Sequence, residues 1–372
     1  MALQRARIER FLGDLDANRH TMEHAEALLK RLDRPSSSQA AWLAMETGLR
    51  AQHLGQYEKA LVRFRQARDE WRAAGQPRGE AQALNAQCMC LIYLGDYDGT
   101  IRAAREGLRL AGADARWRTE QANLLNNLAL ALWRKGSLAE AHEAIQSAAV
   151  CQRKAGDSLG LAATIMNRGI LEEERRHDKR AESSYLNAIR LAERYGFRQV
   201  VCCAEANLGN LALKRGRFDL ALRHSQKSLE IAEAIQDARS QAIALENIGL
   251  ACAGLREYAD AAKAYERAGA IARRSGDTER AASVGLCRAE LDLARGRIAL
   301  AEKRLAALSQ TSQQPPTPDC AIRLKQLEAQ TLATRRRTAE AIEAARQSVR
   351  LAESAGLADH ARRGAELLSS LL

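Results

Sequence analysis

Asparagine is scarce in this chain, and eight of its ten copies fall in the predicted first helices of five consecutive repeats: Asn85, Asn123, Asn126, Asn127, Asn167, Asn207, Asn210 and Asn247. Four of them, Asn127, Asn167, Asn207 and Asn247, follow one another at forty-residue steps. A carboxamide both donates and accepts, so a ladder of amides can pair with the N–H and C=O groups of an extended peptide whatever its sequence. The competing reading is that each amide bridges to a neighbouring helix and stiffens the stack. No other residue type offers comparable chemistry. The seven histidines (20, 24, 53, 142, 177, 224 and 360) lack metal-ligand spacing; His20 and His24 are four apart, with no third ligand in sequence reach. There is no glycine-rich phosphate loop and no nucleophile motif, and Glu172-Glu173-Glu174 reads as a solvated helix face. Neither catalysis nor a metal or other cofactor is expected.

The elements that must position these amides show in a recurrent alanine. Ala60, Ala141, Ala181, Ala221, Ala261, Ala301 and Ala341 keep time through the chain, with Thr100 at the missing beat. A period of about 20–50 residues marks a solenoid, in which one supersecondary unit stacks on copies of itself. Within residues 199–238, apolar and small residues follow a helical period from Ala206 to Ala212, stop at Gly216, and resume from Phe218 to Ala232. Strand-like alternation is missing from both halves, so the unit is an antiparallel helix pair. Twelve residues before the marker stand Gly48, Cys88, Ala129, Gly169, Gly209, Gly249, Ala289 and Ala329. A mid-helix glycine costs roughly 0.5–1 kcal/mol against alanine, so a close helix–helix approach is expected there. Gly156-Asp157 and Gly276-Asp277 supply a left-handed helix end and then an N-cap.

Leu208-Gly209, Gly216, Phe218 and Ala221, and again Ile248-Gly249, Tyr258, Ala261, Tyr265 and Ala268, resemble the tetratricopeptide repeat in degenerate form. That repeat usually has about 34 residues; the forty-residue variety is similar to the repeats of kinesin light chain, the spindle-orientation adaptor and bacterial peptide-receptor regulators. Asn126-Asn127-Leu128-Ala129 and Asn207-Leu208-Gly209-Asn210 resemble the first two. The resemblance implies an all-α solenoid, a right-handed superhelix whose first helices line a concave groove, and asparagines that hold a target peptide. On that face fall Asn123, Asn127, Leu130 and Arg134, with Trp133 beside them; then Asn167, Ile170 and Glu174; then Asn207, Asn210 and Lys214; and Asn247. Leu49, His53, Met89 and Tyr93 add apolar and aromatic footholds at the N-terminal end.

The organisation predicted is a helix pair over residues 1–34, eight repeats over 35–358 and a capping helix over 359–372. Three of the five prolines lie within Ser309–Pro318, where a mobile loop is predicted in place of the second helix's end. Leu367, Leu368, Leu371 and Leu372 form a stripe that either caps the last repeat or continues into a second copy or another domain. No apolar run is long enough for a signal peptide or a transmembrane helix, which makes a cytoplasmic protein the expectation. The eight cysteines read as small buried hydrophobes. The net charge of +11 permits an acidic or nucleic-acid partner, but Lys and Arg are interleaved with Glu, so nucleic acid is not the expected one. The reading that results is a scaffold binding a protein or peptide in its groove, with the sensory arm of a larger bacterial regulator as the alternative.

Overall fold

The computed structural model describes residues 36–54, 56–311, 317–355 and 357–372, with isolated positions between 20 and 27. The predicted helix pair over 1–34 lies, apart from those positions, outside the described residues. Among the described residues there are seventeen α-helices, one short 3-10 turn and no strand. They form two compact units, residues 1–195 and 196–372. The first holds α1 (Ser37–His53), α2 (Tyr57–Ala73), α3 (Pro77–Tyr93), α4 (Tyr97–Ala111), α5 (Arg118–Arg134), α6 (Leu138–Ala155), α7 (Ser158–Glu174) and α8 (Asp178–Tyr195). The second holds α9 (Arg198–Lys214), α10 (Phe218–Ala234), α11 (Ala238–Gly254), α12 (Tyr258–Arg274), α13 (Thr278–Ala294), α14 (Ile298–Thr311), α15 (Pro318–Thr334), α16 (Thr338–Ser354) and α17 (Ala358–Leu371). Within each unit the two helices of a pair pack on one another, and successive first helices (odd numbers) lie side by side. Each unit is thus an all-α stack of antiparallel helix pairs.

Local sequence sets the helix ends. Ser36 closes a capping box on α1, accepting from the Gln39 N–H at 3.3 Å while Gln39 Oε1 accepts from the Ser36 N–H at 3.1 Å. Asp96, Asp157, Asp237 and Asp277 accept from the backbone N–H of Gly99, Gly160, Ser240 and Arg280 at 2.7, 2.8, 3.2 and 2.9 Å. These bonds satisfy donors that the first helical turn leaves open.

The marker residues explain why the repeat exists. Ala60, Thr100, Ala141, Ala181, Ala221, Ala261, Ala301 and Ala341 are all 0% exposed. Thr100 fits because its hydroxyl donates to the Asp96 carbonyl at 2.9 Å. The register twelve residues earlier is small for a reason the sequence reading left incomplete: it faces the residue sixteen positions later, on the partner helix. A Cβ on Gly48, Gly169 or Gly249 would meet the rings of Phe64, Tyr185 and Tyr265 at 2.6, 2.5 and 2.4 Å. Where Ala129, Ala289 or Ala329 takes that place, the facing residue is Ile145, Leu305 or Ala345, each buried. Three of the four glycines in this register make room for an aromatic ring; the fourth, Gly209, faces Ser225, whose hydroxyl oxygen a Cβ would meet at 2.7 Å.

One sequence expectation needs correcting. Helix is not excluded from the proline-rich segment: α14 continues through Ser309 and Gln310 to Thr311, and Pro318 opens α15. The first helical position suits proline, because its absent N–H would have no intrahelical partner there. Residues 312–316 lie outside the described residues.

Candidate ligand groove

In residues 1–195, the first helices α1, α3 and α5 frame a cavity of about 490 Å³. Its apolar lining includes Trp42, Met45, Leu49 and Met89, and its amides come from Gln52, Gln82, Asn85 and Asn123. The helical period places these residues together, since positions 42, 45 and 49 share one face of α1, and 82, 85 and 89 share one face of α3. A second cavity of about 620 Å³ adjoins it, sharing Trp42 and Gln82 and adding Trp71, Pro77, Arg78, Arg116 and Trp117. The Trp42 and Trp71 rings meet edge to face, with centroids 5.5 Å apart.

The amides are oriented by one another. Asn127 is buried, and its Nδ2 donates to Asn85 Oδ1 at 2.8 Å, a bond between adjacent repeats. That bond turns the Asn85 carboxamide and leaves its NH₂ group to donate. Next to it, Asn126 Nδ2 donates to Thr164 Oγ1 at 2.8 Å, and the Thr164 hydroxyl returns a bond to Asn126 Oδ1 at 3.1 Å. Glu120 also lines the cavity. Burial would raise its pKa, but hydrogen bonds from Arg78 (2.7 Å) and Gln82 (3.3 Å) outweigh that and hold the carboxyl below its ordinary range. The wall therefore carries a fixed, hydrogen-bonded carboxylate.

The remaining predicted residues of this unit divide. Leu130, Trp133, Asn167 and Ile170 line one small cleft of about 40 Å³, with Asn126 at its side. The Arg134 guanidinium lies 4.4 Å from the centre of the Trp133 ring. Tyr93 stacks on Tyr57, centroids 4.4 Å apart, and is not part of the cavity lining. Glu174 is exposed at the end of α7. The side chain of His53 lies outside the described residues.

In residues 196–372, Asn207 and Asn210 are half-buried on α9, Lys214 is exposed at its end, and Asn247 is buried on α11. The Asn247 Nδ2 has no hydrogen-bond partner among the described residues. Buried ion pairs tie this unit's helices together. Glu205 receives His224 Nδ1 at 2.6 Å and Lys227 Nζ at 2.7 Å, while Glu246 receives Arg280 Nη1 and the Ser283 hydroxyl, both at 2.6 Å. Burial works against ionised Glu205, but the bonds from His224 and Lys227 prevail and lower its pKa.

Other side chains of the chain are placed by local charge and packing. Of the densest basic run, Arg335 pairs with Glu302 at 3.1 Å and Arg337 with Glu340. Burial pushes the thiols of Cys88 and Cys287 up to about 12, so they stay protonated. Leu367, Leu368 and Leu371 pack on Ala329, Ala344 and Ala345, whereas Leu372 is 81% exposed. No described helix is long and apolar enough to cross a membrane. Among the described residues no three His, Cys, Asp or Glu side chains gather as a metal would require.

Sequence reasoning missed Trp42, Met45, Trp71 and Trp117. The available signal was their distribution: all four tryptophans of an aromatic-poor chain precede residue 134.

The family model of the tetratricopeptide repeat matches residues 200–274, where the repeat's residues were quoted above. Among curated proteins none matches the sequence. Solved structures share the fold. Aspartyl phosphate phosphatase F from Bacillus subtilis superposes with a TM-score of 0.61 at 11% identity, over 84% of this chain and 94% of that one. A Rap protein complexed with competence and sporulation factor gives 0.59 at 15% identity, over 82% and 87%. The Rap conjugation gene regulator of plasmid pLS20, in complex with the Phr* peptide, gives 0.56 at 12% identity, over 95% and 96%. The fold is that of tetratricopeptide-repeat proteins.

Proposed function

We propose that the first-helix face of residues 1–195 binds an extended peptide or protein segment. The observation that carries this reading is the 490 Å³ cavity, lined by Trp42, Met45 and Leu49 from α1, by Gln82, Asn85 and Met89 from α3 and by Asn123 from α5. An apolar wall beside a row of amides suits a chain that offers both side chains and backbone polar groups. Met and Trp are residues of recognition surfaces, one adaptable and the other large and rigid. The neighbour solved with the Phr* peptide supports a peptide as ligand by analogy of fold. Asn123, Leu49 and Met89 take the ligand, Asn85 donates to its backbone, and Asn127 acts indirectly by holding Asn85. Leu130, Trp133, Asn167 and Ile170 extend the path along the same unit, with Arg134 and Glu174 at its rim. Asn207, Asn210, Lys214 and Asn247 are the corresponding positions of the second unit, where binding is proposed on the ladder alone.

The test starts from peptides selected against the full chain out of a random display library. Met89→Ala combined with Asn123→Ala should weaken the selected peptides at least tenfold in fluorescence anisotropy and leave the melting temperature within about 2 °C. Selected peptides that bind this double variant as tightly as the parent would sink the proposal. Asn127→Ala is a poorer probe, because it breaks the bond between repeats as well.

A further inference from the structure

A different kind of cavity lies in residues 196–372, among α12, α13 and α14. It measures about 240 Å³, and its lining includes Arg273 from α12, Arg288 from α13 and Arg304 from α14. Three cations from three successive helices converge on one hollow, and its floor is made by two glycines, Gly269 and Gly285. The glycines keep it open. A Cβ on Gly285 would lie 2.9 Å from the Leu308 side chain, and one on Gly269 would lie 3.3 Å from Arg273 Nη1. The Arg273 guanidinium therefore folds back over Gly269, one turn along its own helix, while the residue stays exposed at the cavity's edge.

The three arginines are held to different degrees. Arg304 donates through Nε to the buried carboxylate of Asp292 at 2.7 Å, which fixes the fork and directs its terminal amino groups elsewhere. Arg288 makes no hydrogen bond or ion pair among the described residues. Its pKa is lowered by burial first and then by Arg304, with a smaller push in the same direction from Arg273, while Glu266 and, least of all, Asp292 oppose the shift. Asp292 is already engaged, and Glu266 is exposed. Elsewhere in the unit, partly buried arginines have carboxylates: Arg280 has Glu246 and Arg323 has Glu290. A half-buried guanidinium facing two others is a standing cost unless an anion sits between them.

We propose that this cavity binds a phosphate group, held by the guanidinium forks of Arg273, Arg288 and Arg304. Guanidinium matches phosphate through paired, parallel N–H donors, and three forks around one centre suit a dianion better than a carboxylate. A cavity of 240 Å³ holds several water volumes, at about 30 Å³ each, which leaves space for the substituent that bears the phosphate. That substituent is either a small phosphate ester or a phosphorylated protein side chain.

Calorimetric titration of the full chain at constant ionic strength tests this with pyrophosphate, with a phosphoserine peptide and with the same peptide unphosphorylated. The expected result is sub-millimolar binding of at least one phosphate probe and none of the unmodified peptide. Tenfold tighter pyrophosphate assigns the site to small molecules, and tenfold tighter phosphopeptide to a modified protein. Arg288→Gln should weaken the better probe at least tenfold, while Arg274→Gln, an exposed neighbour outside the lining, should leave it unchanged. Thermal melts supply an independent reading. Without phosphate Arg288→Gln should melt at or above the parent, because a repulsion is gone; with phosphate the order should reverse. The proposal is overturned if neither probe binds more tightly than sodium sulfate at the same ionic strength, or if Arg288→Gln retains parental affinity.

Discussion

In residues 1–195 the first-helix face carries Trp42, Met45, Met89 and amides, and it opens into two adjoining cavities that Trp71 and Trp117 also line. In residues 196–372 comparable positions are occupied by Glu205 with His224 and Lys227, by Glu246 with Arg280, and by a hollow ringed with arginine. Both units bury the same marker at 0% exposure and rely on the same sixteen-residue complementarity between helices. The difference shows how a repeat divides its labour. Two or three small positions per forty residues determine how the helices approach, and the others are free to present apolar chemistry in one unit and charge in the other.

The severest way to probe that division is to break the shared part in one unit only. Ala221→Arg places a charge at a fully buried marker of the second unit. With no partner and no space, this should cost about 4 kcal/mol or more. Hydrogen exchange should show protection lost mainly in residues 196–372. Equal loss in residues 1–195 would mean that the two units are one cooperative body, and the comparison would collapse.

A smaller effect is expected from glycine. Gly249→Ala drives a methyl into the Tyr265 ring and should cost about 1–3 kcal/mol despite the better helix propensity. Ala129→Gly, opposite Ile145 in the first unit, should cost about 0.5–1 kcal/mol by backbone entropy alone. Denaturant melts of the two variants separate these cases. If both substitutions cost the same, ring accommodation is not what selects glycine.

Charge chemistry in the second unit gives a pH signature. The Glu205 carboxyl has its pKa depressed by His224 and Lys227 against burial. A depressed folded pKa contributes stability that is fully present above the unfolded value, about 4.3, and is lost as pH falls through the folded value. Glu205→Gln should therefore be less stable than the parent by about 1–2 kcal/mol near pH 7, in line with hydrogen bonds to a charged group. The gap should narrow on acidification below about pH 4. A gap independent of pH would show that the carboxylate's charge is not what its partners stabilise.

Much of this was legible in the chain, and what was not has a geometric cause. The marker alanines could be read because close packing tolerates no alternative, and the helix pairs followed from their spacing. Asn127 was placed on the open face, yet it is buried against Asn85. A periodic pattern assigns a residue to a side of its helix but does not separate the part facing solvent from the flank facing the next repeat. The tryptophan cleft was missed because Trp42, Trp71 and Trp117 follow no common register; stacking alone brings them together. The arginine cavity has the same origin, since 273, 288 and 304 belong to three helices of two repeats.

The smallest expected effect concerns the turns within pairs, where the two units should behave alike. At every described position five before the marker the residue is left-handed, with φ of 77° at Gly95, 81° at Gly136, 60° at Arg176, 68° at Gly216, 64° at Arg256, 69° at Gly296 and 60° at Arg336. Gly95 and Gly136 are both glycine, and from Gly136 onward glycine and arginine alternate. An L-residue pays roughly 1–2 kcal/mol for this conformation, and glycine escapes it at some cost in unfolded-chain entropy. Arg256→Gly and Arg336→Gly should each stabilise by about 0.5–1 kcal/mol in denaturant melts. Gly216→Arg should destabilise by a similar amount, and Gly136→Arg should match it in the first unit. A loss of stability in Arg256→Gly would show that the arginine side chain contributes more than its backbone strain takes away, and the alternation would then be a surface feature instead of a tolerated imperfection.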